Sequence, residues 1–308
     1  MDRKLKSGMV AIVGRPNVGK STLLNCLLGE KVSIVSDVPQ TTRRQIRGIY
    51  TDHRGQIVFI DTPGLHSGRD KLDKYMSRAS TGSIDGTDVV IHLVDASEKT
   101  GPEERQVVGR LDACGKPIIV GLNKVDVTKG KFVPEYIKLW EDLRGMPVTE
   151  MKDMTLLPLS ALKGTNVKKL VDLLFELMPA GPLLYPEDVL TDFPKRMAMA
   201  DLVREKLFLL MREEVPHSIA VIIESVRPKR GKVLQIRAAI LVERESQKEI
   251  VIGRGGAVLK QVGTEARRDL EELVGQKVFL ELFVKTKPDW RDDYSALEEM
   301  GYVFSDLA

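Results

Sequence analysis

Cysteine is nearly absent: Cys26 and Cys114 are the only two in 308 residues. Two isolated thiols at no metal-ligand spacing exclude a disulfide scaffold or a zinc site and predict a reducing compartment. Long apolar runs are missing as well. The longest stretches, such as 89–94 with a histidine inside it, fall far short of a membrane-spanning helix. The opening MDRKLKSG runs into a first strand without a signal-peptide core. Together these absences predict a cytosolic protein, or one at most peripheral to a membrane. Charge of one sign is also lacking, since the net charge is only +3.

What is present suffices for two domains, with 43% apolar and 30% charged residues, an ordinary globular balance. From Met9 to about Leu177, strand-like runs alternate with helical periodicity, as in an α/β sheet. Strands are expected at 9–13, 56–60, 88–94, 117–122 and 155–159. Helices are expected from Lys20 to Leu28 and near 71–83, 102–114, 132–143 and 167–177. Residues 178–194 hold four prolines and a glycine, the composition of an interdomain linker. Beyond it the order becomes α-β-β-α-α-β. Met199, Val203, Leu207 and Met211 mark an amphipathic helix, while Leu234, Ile236, Ala238, Ile240 and Val242 alternate onto one face of a strand. The expected division is 1–178, a linker over 179–194, a second domain over 195–291, and a tail over 292–308. Residues 194–291 carry 20 Lys and Arg against 14 Asp and Glu, an excess of +6 that suits an anionic partner.

Gly14–Arg15–Pro16–Asn17–Val18–Gly19–Lys20–Ser21, with Thr22 following, matches G-x-x-x-x-G-K-S/T between a strand and a helix. Glycines let backbone N–H groups turn inward around a β-phosphate, and the helix N-terminus adds positive potential. Lys20 would bridge β- and γ-phosphate oxygens, and Ser21 would offer its hydroxyl to Mg²⁺. Three later strings select the base. Asp61–Thr62–Pro63–Gly64 ends a strand, placing Asp61 near the metal and the Gly64 amide near the γ-phosphate. Asn123–Lys124–Val125–Asp126 ends another, where the Asp126 carboxylate can accept from guanine N1–H and the exocyclic amino group. Adenine offers no such pair of donors. Ser160–Ala161–Leu162 follows the last strand and would meet guanine O6 with backbone N–H. Each string alone could be an ordinary strand cap; their shared sheet edge argues for GTP and GDP.

In the second domain, Ile252 leads into Gly253–Arg254–Gly255–Gly256, a G-x-x-G string. With 25 glycines in 308 residues, about two such pairs arise by chance, so the setting decides. It lies between an apolar turn and a periodic helix, the arrangement of a KH domain, whose loop holds a single-stranded RNA backbone. Arg254 supplies charge there, and Arg227, Lys229, Arg230 and Lys232 form a second basic cluster; the bland alternative is a helix-connecting turn with solvated charges. The domain is aromatic-poor, which speaks against base-stacking platforms, and Trp290 and Phe283 are read as core.

Across essentially the whole chain these residues resemble the Era family, within the translation-factor-like branch of the GTPases. The resemblance implies a Ras-like P-loop G domain, with a mixed, mostly parallel sheet and helices on both faces, followed by an α+β KH domain of type II. It implies GTP hydrolysis, binding of small-subunit ribosomal RNA near its 3′ end, assembly of the small subunit, and some association with the inner face of the cell membrane. It also makes Thr42, within Pro39–Gln40–Thr41–Thr42–Arg43, the hydroxyl that closes on Mg²⁺. Leu65 stands where Ras-type enzymes carry the glutamine that orients water, so intrinsic hydrolysis should be slow. Asn17 resembles an asparagine that helps related GTPases bind K⁺; a plain loop role fits it equally. Arg43, Arg44 and Arg47 could supply charge, but read as solvated surface. Two other classes compete: a nucleotide-gated RNA-binding module with negligible hydrolysis, and a protein- or membrane-docking GTPase. Nothing suggests a coiled coil, so a monomer is expected.

Overall fold

The computed structural model describes residues 5–64, 70–211, 215–229 and 231–302. They form two compact units that divide after Asp192.

The first unit holds six strands: β1 (Lys6–Val13), β2 (Ile46–Asp52), β3 (Gly55–Asp61), β4 (Val89–Asp95), β5 (Ile118–Asn123) and β6 (Met154–Pro158). Their order is β2-β3-β1-β4-β5-β6, with β2 antiparallel to β3 and every other pairing parallel. Helices are α1 (Lys20–Leu28), α2 (Lys71–Asp85), α3 (Pro102–Asp112), α4 (Val125–Thr128), α5 (Val133–Arg144) and α6 (Val167–Leu177). The central strands read as unbroken apolar runs because both their faces are covered. Val10–Val13, Val89–Ile91 and Ile57–Phe59 are essentially inaccessible. Register pairs Ile12 with Asp61 and Asp95 with Asn123. The carboxyl ends of four strands therefore share one edge, where α/β sheets place their ligands.

The proline-rich stretch is not a loose tether. Gly181 N–H donates to Leu5 O (2.9 Å), Ser7 N–H to Pro179 O (3.1 Å) and Ile49 N–H to Leu190 O (2.8 Å). The fully buried Gln56 accepts from Leu184 and Tyr185 N–H at 2.8 Å each and donates to Tyr185 O at 3.0 Å. Prolines remove donors but leave carbonyls, so the segment can still be stitched to β1, β2 and β3.

The second unit contains α7 (Lys195–Leu210), β7 (Ala220–Lys229), β8 (Val233–Val242), α8 (Glu245–Ile252), α9 (Ala257–Val274), β9 (Lys277–Thr286) and α10 (Tyr294–Glu299). The sheet runs β7-β8-β9, antiparallel then parallel. Ile236, Ala238, Ile240 and Val242 meet Val203 and Leu207 of α7 and Val262, Ala266 and Leu270 of α9 in one core. Residues 34–41 and 70–75 group with this unit; Arg204 donates to Thr41 O (2.9 Å) and Glu205 accepts from Val35 N–H (2.9 Å). Trp290 is buried, its indole N–H donating to Ser218 O at 2.9 Å. Phe283 is not core: it is 37% exposed, because the strand's alternation turns it away from α9.

Candidate functional site

From Val13 the chain turns through the phosphate loop into α1. A Cβ on Gly14 would lie 2.2 Å from Leu93 O, so no side chain fits there. Gly19 adopts φ +98°, a left-handed conformation that favours glycine. Lys20 is buried, and its Nζ donates to Gly14 O (3.1 Å) and Arg15 O (2.8 Å). Burial pulls its pKa down to about 8, against the opposing pull of Asp61 and Glu104. Phosphate charge arriving beside it would favour the cation again.

Ser21 Oγ lies 2.7 Å from both Thr42 Oγ1 and Asp61 Oδ2, and Ser33 Oγ donates to the same carboxylate oxygen at 3.1 Å. Asp61 Oδ1 is buried without a hydrogen-bond partner. Burial pushes the Asp61 pKa up, with the Ser21 hydrogen bond and the Lys20 charge acting against it. Two hydroxyls converging on a buried carboxylate with a spare oxygen are hard donors that fit Mg²⁺. Of the two adjacent threonines, only Thr42 points here. Thr41 Oγ1 instead donates to Val38 O (2.6 Å) and shares a hydrogen bond with Ser36 Oγ (2.7 Å). A Cβ on Gly64 would come within 2.9 Å of Pro16, so the backbone after β3 lies against the phosphate loop. Leu65 falls outside the described residues.

The arginines that follow depart from expectation. Arg43 and Arg44 are 1% and 6% exposed, so neither is solvated surface. Both residues have interaction partners, and an arginine's long apolar stem buries readily. Arg47 is exposed and pairs with Asp192 at 3.0 Å.

At the end of β5, Asn123 Nδ2 donates to Val18 O (2.7 Å) and Asn123 Oδ1 accepts from Ala161 N–H (2.9 Å). One amide thus ties the phosphate loop to the loop after β6. Lys124 sits at φ +62° with its ammonium 2.5 Å from Asp95. Asp126 opens the first turn of α4, exposed, with Ser160 and Ala161 buried and Leu162 exposed on the neighbouring loop.

Sequence reasoning missed a buried chain behind the phosphate loop. Glu104, in α3, is fully buried; one oxygen lies 2.8 Å from His92 Nε2 and the other 2.6 Å from Arg15 Nε. Burial alone would raise the Glu104 pKa, but His92 and Arg15 together hold it below the usual carboxylate range. Tyr136 OH donates to Asp95 O (2.9 Å) and lies 3.4 Å from Arg15 Nη2, and burial pushes its pKa to about 12. The available signal was a histidine inside the apolar run of β4; its carboxylate partner lies 12 residues on. Ser33 gave no signal at all.

In the second unit, Gly253, Gly255 and Gly256 adopt φ of 73°, 60° and 77°. A Cβ on Gly253 would strike Val258, whereas Gly255 and Gly256 face open space. Arg254 is exposed between them and Ile252 half-buried. Beside this loop lies a groove of about 450 Å³, lined by Gly256, Leu259, Lys260, Gly263, Arg267 and Leu280 among others. A bare backbone next to a cation-edged apolar groove suits a phosphodiester strand with unpaired bases. Lys229 lies on the outer face of β7, and Arg230 falls outside the described residues.

Residues 9–124 match a family model described as a 50S ribosome-binding GTPase, and residues 214–291 match a KH domain model. The protein "GTPase Era" of Geobacter metallireducens is 45% identical over 303 residues, 98% of this chain and 99% of that protein. The same-named protein of Halothermothrix orenii is 44% identical, covering 96% and 98%. Among solved structures, Era in complex with MgGDPNP and nucleotides 1506–1542 of 16S ribosomal RNA aligns with a TM-score of 0.90 at 40% identity, over 97% of this chain and 100% of that one. An Aquifex aeolicus Era variant bound to GDP.AlF4⁻ aligns at 0.89 and 40%, with the same coverage.

Proposed function

This chain belongs to the Era family of GTP-hydrolysing enzymes, and we propose that it is a Mg²⁺-dependent GTP switch whose G-x-x-G domain binds small-subunit ribosomal RNA during assembly of that subunit. The observation that carries this reading is the pairing, in one chain, of the Ser21–Thr42–Asp61 cluster with the open glycine loop at Gly253–Gly256. The family model's description names the large subunit but matches only residues 9–124. The relative solved with a 16S fragment matches nearly the whole chain, which favours the small subunit.

In this reading residues 1–178 carry the nucleotide, 179–194 connect, 195–291 bind RNA and 292–308 form a tail. Ser21 and Thr42 would hold Mg²⁺ directly and Asp61 through water. Bound Mg²⁺ neutralises charge on the β- and γ-phosphates. Lys20 exchanges the carbonyls of Gly14 and Arg15 for phosphate oxygens. The Gly64 amide would donate to the γ-phosphate, and the Thr42 hydroxyl, held by Ser21 here, would turn to the metal when that phosphate is present, which makes the loop a switch. Asn123 spaces the phosphate loop from Ser160–Leu162, so the Asp126 carboxylate meets the guanine edge. Asn17, exposed in the loop at φ +63°, is our candidate ligand for an activating K⁺ that would add positive charge to the transition state. We place the protein in the cytoplasm as a monomer. No described helix is long and apolar enough to cross a membrane, and peripheral membrane contact rests on family resemblance alone.

Changing Gly255 to Asp tests the RNA half directly, because it adds a strained side chain and a negative charge where the phosphates would pass. Binding of a small-subunit rRNA 3′-end fragment should fall at least about tenfold, with GTP affinity unchanged. Undiminished RNA binding would refute the loop's assignment.

A further inference from the structure

The Asp61 carboxylate carries a hydrogen bond that the metal reading does not use. Its Oδ2 accepts from Ser21 Oγ at 2.7 Å and from Ser33 Oγ at 3.1 Å, whereas its Oδ1 is buried without a hydrogen-bond partner. Ser21 already has a role in the phosphate loop as a metal ligand. Ser33 belongs to no motif, is only 2% exposed, and lies 28 residues before the carboxylate it meets. A carboxylate oxygen offers about two lone-pair directions, so two hydroxyls saturate Oδ2. Oδ1 is left as the oxygen with capacity to spare.

A single side chain sets the place of Ser33. α1 stops at Gly29, which takes a left-handed φ of 71° and donates its N–H to Asn25 O at 2.9 Å. From that same residue the side chain reaches past the helix end. Asn25 Oδ1 accepts from Val32 N–H and Ser33 N–H at 2.9 Å each, and Asn25 Nδ2 donates to Ser33 O at 2.7 Å. An amide carries both an acceptor and donors, so it can grip the N–H and the C=O of one residue together; a carboxylate can only accept. Both backbone groups of Ser33 are therefore fixed before its hydroxyl is considered. A free loop would lose conformational entropy on bringing that hydroxyl to Asp61, and the Asn25 clamp has already removed most of that freedom.

We propose that Ser33, clamped by Asn25, is a positioning residue for the metal site: its hydroxyl holds Asp61 Oδ2 so that Oδ1 is the oxygen presented to a Mg²⁺-bound water. Ser33 acts through Asp61 and needs no contact of its own with metal or nucleotide. Partners of this kind restrict the orientation of the group they hold and so raise metal affinity. The proposal rests on the Mg²⁺ reading above and adds to it two residues outside the phosphate loop and the strand-end strings. The plain alternative is a buried hydroxyl satisfied by the nearest carboxylate, which would contribute to stability and nothing to the metal. Because the Ser33 hydroxyl bonds Asp61 rather than Thr42, its effect belongs to GDP as well as GTP. That separates it from movement of the Thr42 hydroxyl.

The test uses the full chain and follows release of a fluorescent GDP analogue at free Mg²⁺ concentrations set with a chelator. GDP is chosen because the Thr42 contact with the metal requires the γ-phosphate. Ser33→Ala should raise the Mg²⁺ concentration that half-stabilises the complex by about tenfold, while release without Mg²⁺ stays as in the unsubstituted chain. Asn25→Ala should shift it in the same direction. The double variant should fall no further than the larger single effect, since the two side chains act as one unit. Thermal unfolding of the nucleotide-free chain shows whether each variant is folded; if Asn25→Ala is not, Ser33→Ala decides alone. An unchanged Mg²⁺ dependence in folded Ser33→Ala overturns the proposal. So does a faster release that is equal with and without Mg²⁺, which would mark a structural role only. If release from the unsubstituted chain is indifferent to Mg²⁺, the metal reading itself fails and takes this proposal with it.

Discussion

At the scale of single residues, the nucleotide site is governed by groups that have one chemical alternative each. On the proposed reading the Asp126 carboxylate accepts from two guanine donors, so Asp126→Asn should cost about a hundredfold or more in GTP affinity and shift preference toward xanthosine triphosphate. Competition binding with the two nucleotides checks this, and unchanged guanine selectivity would refute the assignment. Glu104 acts at one remove. Its charge fixes Arg15, whose carbonyl accepts from Lys20, so Glu104→Gln should loosen the phosphate loop. We expect weaker GTP binding, read by nucleotide titration, and about 3–5 kcal/mol lost in unfolding measurements at neutral pH, since one buried partner is left uncompensated. The sign with pH follows from the depressed Glu104 pKa. Its contribution is complete above the unfolded carboxyl value of about 4.5 and disappears as pH falls through the lower folded value, so the gap between native and Glu104→Gln should close on acidification.

Legibility differed between residues for physical reasons. Lys20, Ser21, Asp61 and Asn123 were readable because their chemistry demands a fixed spacing on a strand–loop–helix frame. Arg43 and Arg44 were misread because composition makes arginine a surface residue, and nothing in the local sequence reports that the fold covers them. Phe283 was misread for the opposite reason, an apolar residue on the face of a strand that the helices do not cover.

At the scale of elements, α1 and α6 have the bounds their periodicity predicts, and β8 carries the alternation read from its sequence. β2 was not itemised from sequence, since Ile46–Asp52 has only a broken apolar pattern, burying Ile46, Gly48 and Ile49. Its identity comes from pairing with β3. The proline-rich stretch was legible as a connection but not as a packed one, because Gln56, which holds it, lies well over a hundred residues earlier. Gln56→Ala should leave Leu184 and Tyr185 N–H and Tyr185 O without their partners. We expect faster hydrogen exchange across 180–191 and a loss of about 1–3 kcal/mol. Exchange rates unchanged in that window would show that the stretch is held by other means.

At the scale of the molecule, one unit offers a metal-ready phosphate site and the other an open glycine loop, and the account requires them to work as one switch. Steady-state GTP hydrolysis, measured in K⁺ and then Na⁺ with and without a small-subunit rRNA 3′-end fragment, tests this most directly. The account predicts slow hydrolysis alone, a rate raised by K⁺ and raised further by the RNA, with the RNA effect abolished by Gly255→Asp. A rate indifferent to an RNA that demonstrably binds would contradict it, leaving two functions joined only by a peptide chain.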